Sequence, residues 1–364
     1  MKLSRALRLT NQAAVAIIAT DVLPLAAQLT PAILTTNTHF NQRHSAFAHW
    51  HCTQPADLAA PAAASRLREG LTLVSGDLEG ARYRGLVPAE MDALRTLAAS
   101  QNIPLLIATD GLSPLPAFVQ AIVTDGTPLP QNIPTNVRRI LISEQATLPE
   151  NFDAVIIPEP AGSVTRRERT AGIVLAAGSS TRFGSPKQLL DYHGQPFIRQ
   201  VTQTALNAGL TPVIVVTGAN AETVEPIIRD LPAVTIRNSS WSNGQSTSIR
   251  AGIATLTGTN VGAALLLNVD QPQVTVHVIG ALVERHAAEG AAITAPLAAD
   301  RRTHPILFDR DTFPDLLSLN GDVSGRAIFS NYKVEYIPWH DESLLFDVDT
   351  ADDYRKLLAW GVGE

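Results

Sequence analysis

The stretch from Leu175 to Leu190, LAAGSSTRFGSPKQLL, joins a run of small residues to two cations. Ala176, Ala177, Gly178, Ser179 and Ser180 let the backbone come close to a ligand, and their successive N–H groups can form a nest for an anion. Arg182 and Lys187 add positive charge suited to a triphosphate. Only four of the 28 basic residues are lysines (Lys2, Lys187, Lys333 and Lys356), so a lysine inside this pattern is unlike background. The spacing matches neither the P-loop nor the GxGxxG fingerprint, which argues against an ordinary kinase or a dinucleotide site. The bland alternative is a strand-to-helix turn with two solvated cations.

A second signal is LLLNVDQP, Leu265 to Pro272, where an apolar run ends in Asp270. A lone carboxylate at a strand end is commonly a turn former or a helix cap. Here it gains weight, because a bound triphosphate calls for Mg²⁺, which takes one or two carboxylates besides phosphate oxygens and water. LLFDVDTADDY supplies further carboxylates, with Asp347 and Asp349 at alternate positions of an extended run and so on one face. Asp352 and Asp353 read as caps of a last helix.

These residues need a frame. Ala171–Ala177 reads as a strand leading straight into the small-residue turn. Pro212–Thr217, Val234–Arg237, Ala263–Val269 and Ala291–Ala295 read as further strands. Between them, Phe197–Ala208, Ala221–Arg229, Ser246–Leu256 and Val274–Ala288 have helical spacing. Continuous apolar strands alternating with helices predict a mostly parallel α/β sheet covered on both faces. Ligands in such sheets lie beyond the carboxyl ends of the strands. Upstream the rhythm is similar but weaker, with strands expected at Ala14–Ala19, Ala32–Thr36, Leu71–Val74, Leu105–Ala108 and Ile140–Ser143, and a helix at Ala89–Ala99. We therefore expect a smaller α/β domain over 1–157, a linker over 158–170, where two prolines, a glycine and a charge run coincide, and a second domain over 171–364.

With 364 residues the chain has room for about two domains. Hydrophobic residues at 45% and charged residues at 17% argue against disorder. The single Cys52 excludes a disulfide within the chain. A net charge of −6 gives no broad footprint for nucleic acid. No apolar run reaches the length of a membrane span. Lys2, Arg5 and Arg8 ahead of Ala13–Ala19 imitate a secretion signal, but Asp21 follows without a cleavage pattern. A buried first strand and a cytoplasmic location are expected instead.

Residues 171–359 resemble the nucleotidyltransferase domain of molybdenum cofactor cytidylyltransferases. The matching segments are AAGSSTRFGSPKQLL, NSSWSNGQSTSIRAG (Asn238–Gly252), NVDQP, RRTHPILF (Arg301–Phe308), NGDVSGRA (Asn320–Ala327) and DVDT. The resemblance implies a Rossmann-like sheet of the nucleotidyltransferase (MobA/MocA) type. It further implies transfer of CMP from CTP to the terminal phosphate of the molybdopterin–molybdenum cofactor, with release of pyrophosphate. Leu175 to Ser180, Arg182 and Lys187 would bind the nucleotide. Arg182, Lys187 and Asp270 would act in catalysis, and Asp270 with Asp349 would hold Mg²⁺. Asn238, Trp241, Gly244, Ser248, His304 and Arg326 would face the acceptor. Trp241 is expected either as a pocket wall or as a core anchor. Other readings stay open: a guanylyltransferase or another cytidylyltransferase of this fold, a sugar-phosphate nucleotidyltransferase, or a non-catalytic carrier serving a molybdenum hydroxylase.

The N-terminal part resembles an accessory protein (YqeC) of selenium-dependent molybdenum hydroxylases in LTTNTHFN (Leu34–Asn41), VSGDLEGARYRGLVPAEMDAL (Val74–Leu94) and LLIATDG (Leu105–Gly111). That family opens with a glycine-rich loop ending in Gly-Lys-Thr. This chain has TDVLPLAAQL there, with neither glycine nor lysine. The expectation is a degenerate domain that binds no nucleotide and serves folding, assembly or docking to an apo molybdenum hydroxylase. His39, His44, His49, His51 and Cys52 crowd together nearby but match no familiar zinc spacing.

Overall fold

The computed structural model describes residues 1–8, 14–18, 33–36, 72–74, 105–108, 119–126, 128–129, 133–159, 163–181 and 183–360. The chain divides into two compact units, Met1–Arg167 and Glu168–Glu364. The Ala89–Ala99 stretch, TDVLPLAAQL, the histidine-rich segment with Cys52, and Arg182 lie outside the described residues.

In the first unit, eight strands form one sheet: β1 (Ala14–Ile18), β2 (Ile33–Thr36), β3 (Thr72–Val74), β4 (Leu105–Ala108), β5 (Ala121–Thr124), β6 (Arg138–Ile142), β7 (Ala154–Pro158) and β8 (Val164–Glu168). Their order is β3-β2-β4-β1-β5-β6-β7-β8. From β3 to β7 every neighbouring pair is parallel. The expected linker over 158–170 is largely strand. Val164 and Arg166 are buried, and Arg166 donates to the Arg5 carbonyl oxygen at 3.1 Å. The charge run is thus an alternating edge strand whose one inward arginine finds a backbone acceptor.

The second unit carries β9 (Thr170–Ala176), a small hairpin of β10 (Asp191–Tyr192) and β11 (Gln195–Pro196), and then β12 (Val213–Thr217), β13 (Val234–Arg237), β14 (Ala263–Asn268), β15 (Ile293–Ala298), β16 (Arg301–Arg302), β17 (Ile306–Asp309) and β18 (Val334–Trp339). The main sheet runs β13-β12-β9-β14-β17-β15-β16, with β18 also on β15. Strands β13, β12, β9 and β14 are parallel, whereas β17 is antiparallel to both β14 and β15. The parallel strands and β15 match strands expected from the sequence, whereas β16, β17 and β18 do not.

Strand alternation assigns the two faces. Ala171, Ile173 and Leu175 of β9 join Ile214, Val216, Ala264 and Leu266 in a core under helix α2 (Gln245–Ala254). Val174 and Ala176 join Val213, Val215, Leu265 and Leu267 in a second core under helices α1 (Phe197–Asn207) and α3 (Val276–Glu289). Every residue of β9 and β12 is buried, as a strand covered on both faces requires. Phe197 and Phe308, one in each core, are fully buried and contribute about 1.5–3 kcal/mol each. The helix expected over Ala221–Arg229 breaks into a helical turn at Ala221–Val224 and a 3₁₀ turn at Glu225–Ile228. Pro226 lacks the N–H that would continue it. Among the described residues no helix is long and apolar enough to cross a membrane.

Candidate functional site

Strands β9 and β14 are parallel neighbours, with Asn268 in register opposite Leu175. Their carboxyl ends therefore release the Ala177–Ser180 turn and Asp270 side by side. A backbone bond from Val348 N to the Asp270 carbonyl oxygen, 3.1 Å, lays the Asp347–Asp349 segment alongside. Three pieces distant in sequence meet at one end of the sheet.

The turn is closed by a residue to which the sequence assigned no role. Gln188 is buried and donates its amide hydrogens to the carbonyl oxygens of Ala176 at 2.9 Å and Gly178 at 2.8 Å. The Ser180 hydroxyl accepts from Lys187 N at 3.0 Å, and Ser180 itself sits at φ 56°, in the left-handed region. The loop folds back on itself and brings Lys187 under its own start. The amides of Gly178, Ser179 and Ser180 donate to no other described residue, which leaves them able to meet an anion.

Lys187 Nζ lies 3.1 Å from Asp270 Oδ2 and 2.9 Å from Asp349 Oδ1. Burial works against its charge, but Asp270 first and Asp349 next raise its pKa above the usual lysine value. Asp347 stands close by. The protein crowded around it, then the charges of Asp270 and Asp349, push its carboxyl up to about 6, although the side chain still reaches solvent. Among the described residues no three or more metal-type side chains gather as a ready ligand set. The pair Asp270 and Asp349 does face a common point, now held by the ammonium. Two carboxylates with open positions suit Mg²⁺, which completes its shell with phosphate oxygens and water.

A cavity of about 640 Å³ opens over these groups. Leu175, Ala177, Gly178, Ser179, Ser180 and Lys187 line one side, and Trp241, Gly244 and Ser248 line another, with Asp270 and Asp349 at the base. Asn268 also borders it and has a buried Oδ1 without a partner among the described residues, an acceptor that a ligand N–H can satisfy. Trp241 is both wall and anchor, since it lines the cavity and packs against the core under α2. Its backbone approaches so closely that a Cβ on Gly218 would come within 2.9 Å of the Trp241 Cβ. Gly244 has φ 107°, and a Cβ there would meet the backbone of Asp322 at 2.6 Å. Asp322, which the sequence did not single out, accepts from Gln245 N at 3.1 Å and so fastens its loop to the start of α2.

Four expected residues fall elsewhere. Ala176 is buried in the strand, where its carbonyl serves Gln188. Asn238 is buried beneath the NSSWSNG loop and donates to Thr247 Oγ1 at 2.8 Å and Ser248 Oγ at 3.0 Å. It shapes the wall from behind. His304 is buried away from the cavity lining, with Nδ1 unpartnered among the described residues. Burial, then the nearby Arg326, lower its pKa to about 3 and keep it neutral. Arg326 opens on a neighbouring cleft of about 530 Å³.

Part of the chain is similar to known proteins. Residues 172–336 match the MobA-like NTP transferase domain. The chain is 33% identical over 196 residues to nicotine blue oxidoreductase of Paenarthrobacter nicotinovorans, covering 51% of this chain and 95% of that protein. It is 29% identical to the purine catabolism protein PucB of Bacillus subtilis (strain 168), over 50% of this chain and 93% of that one. Among solved structures, the homologue of Mycobacterium tuberculosis Rv0371c from Mycobacterium sp. strain JC1 aligns at 30% identity. It covers 53% of this chain and 97% of its own, with a TM-score of 0.48.

Proposed function

We propose, for a chain that belongs to the MobA-like NTP transferase family and is a nucleotidyltransferase, that the reaction is transfer of CMP from CTP to the terminal phosphate of the molybdopterin–molybdenum cofactor. The observation that carries this reading is the Lys187 ammonium shared by Asp270 and Asp349 beneath an open loop of backbone amides.

The acceptor phosphate is already an anion, so no strong base is needed. Its oxygen attacks the α-phosphorus of CTP, the bond to the bridging oxygen breaks, and pyrophosphate leaves. Catalysis is then positioning and charge neutralisation. The amides of Gly178–Ser180 cradle the phosphates. Lys187 turns from its carboxylates to the α-phosphate and offsets the charge that grows there. Arg182, outside the described residues, is the proposed partner of the β- and γ-phosphates. Asp270 and Asp349 would hold Mg²⁺, which would supply further charge neutralisation. Trp241, Gly244 and Ser248 wall the cavity, and Asn238 holds that wall in place.

The name of the first relative raises a redox reading. Against it, the turn after β9 is AAGSSTRFGS, which lacks the GxGxxG pattern of a dinucleotide site. For the N-terminal unit we propose a docking role toward an apo molybdenum hydroxylase. The deciding experiment incubates the full chain with each labelled nucleoside triphosphate, Mg²⁺ and molybdenum cofactor, and measures pyrophosphate release. CTP is expected to outcompete GTP. Equal release from both would favour the guanylyl alternative, and no release from any would favour the carrier.

A further inference from the structure

The cleft that holds Arg326 contains a second arginine. Arg302 lies on β16, and Arg326 lies on the 3₁₀ segment Gly325–Asn331. Arg326 Nη2 donates to the Arg302 carbonyl oxygen at 3.1 Å, which pins one guanidinium beside the other residue. The Arg302 guanidinium sits 5.6 Å from the centre of the Tyr336 ring, a cation–π contact that orients it. Both arginines and Tyr336 line the same cleft, and Phe329 closes its apolar side.

Among the described residues neither arginine forms an ion pair. Arg326 is lowered from the usual arginine value by burial first; the Asp347 carboxylate opposes this, and Arg302 adds to it. Two guanidinium groups that share one cleft also repel each other. A protein that needed only a surface turn here would gain by separating these charges. An anion placed between them removes the repulsion and accepts several N–H groups in fork geometry. Arg326 feels the charge of Asp347, and Asp347 in turn feels Asp270, Asp349 and Lys187.

We propose that Arg302 and Arg326, braced by Tyr336, form a second anion subsite that holds a negatively charged group of the acceptor remote from its attacking phosphate. This rests on the transferase reading for its ligand, but not for its existence. The subsite fixes the far end of the acceptor while Lys187 and Asp270 act on the near end. It selects for acceptors that carry two anionic centres. Arg302 is thereby a specificity-determining residue to which neither the motif spacing nor the resemblance gave a role.

The test titrates inorganic phosphate into the full chain and into Arg302→Ala, Arg326→Ala and Lys187→Ala, with binding followed by calorimetry. Each arginine variant is expected to weaken phosphate at least about tenfold, as for loss of a charge-assisted bond, while Lys187→Ala retains the site. In the transfer assay, Arg302→Ala is expected to raise the acceptor KM about tenfold, with kcat within about threefold and CTP affinity unchanged. Phosphate binding that is absent from the native chain, as tight in both arginine variants as in the native chain, or lost only with Lys187→Ala overturns the subsite. So does an Arg302→Ala variant with a normal acceptor KM. Failure of the native chain to bind or turn over CTP would instead defeat the transferase reading, and the phosphate titration would still decide the subsite.

Discussion

Asp270 and Asp349 hold one ammonium between them: Lys187 Nζ is 3.1 Å from the first and 2.9 Å from the second. Without that charge, two carboxylates facing one point would repel. With it, they stay aligned toward the point where a divalent cation would bind. Lysine and metal therefore compete for the same oxygens. Replacing Lys187 with Met is expected to tighten Mn²⁺ binding about tenfold while turnover collapses, because a competing unit charge a few ångströms away is removed. Calorimetric titration with Mn²⁺ reads this. Unchanged or weaker binding in a folded variant would show that lysine and metal use different oxygens.

Asp270 contributes the carboxylate nearest the end of β14, and Asp349 the one brought in by the last segment. Asp270→Asn keeps the shape and removes the charge. Turnover is expected to fall about 10²–10³-fold at saturating Mg²⁺, with the melting temperature little changed. Asp349→Asn should fall in the same direction. Near-normal pyrophosphate release by a folded Asp270→Asn protein refutes the assignment.

Gly244 joins the NSSWSNG loop to α2 at a φ of 107°, and a side chain there would strike the backbone of Gly321 and Asp322 at 2.6 Å. Gly244→Ala must push the Asp322 loop off the helix start. A loss of about 1–3 kcal/mol in urea unfolding is expected, together with weaker CTP binding, because the moved loop lines the cavity. A variant as stable as the native chain would mean that the 320–322 loop adjusts freely.

The sequence exposed the loop after β9 because its signal is compositional: small residues, then a scarce lysine. It exposed the parallel strands because burial on both faces leaves long apolar runs. Beyond β15, the far half of the sheet leaves little trace. Strand β16 is two arginines, and β18, parallel to β15, mixes Glu335 and Pro338 into a half-buried edge. The role of Gln188 is invisible in the sequence, since two side-chain bonds to backbone carbonyls depend on where the chain returns and on no residue pattern. Arg166 was lost in a charge run for the same reason, as its acceptor on Arg5 is set by tertiary structure alone. Asn238 lay in the right motif, but its partners Thr247 and Ser248 turn it inward.

His304 gives the remaining prediction. It is buried, its Nδ1 has no partner among the described residues, and burial with Arg326 brings its pKa to about 3, against an ordinary histidine value of 6.5. The folded chain thus keeps it neutral where the unfolded chain protonates it. Between about pH 6.5 and pH 3 the unfolded state binds the extra proton, so stability rises with pH across that window and is lost as pH falls. One such group removes about 2 kcal/mol between pH 7 and pH 5. His304→Gln abolishes that titration while leaving the carboxylates and the buried His286–Asp309 pair as they are. The variant is expected to start from a lower stability at pH 7, through lost packing, and then to decline less steeply than the native chain. Urea midpoints at half-unit steps from pH 7 to pH 5 measure the two slopes. Parallel slopes would show that His304 takes up its proton in the folded protein as readily as in the unfolded one.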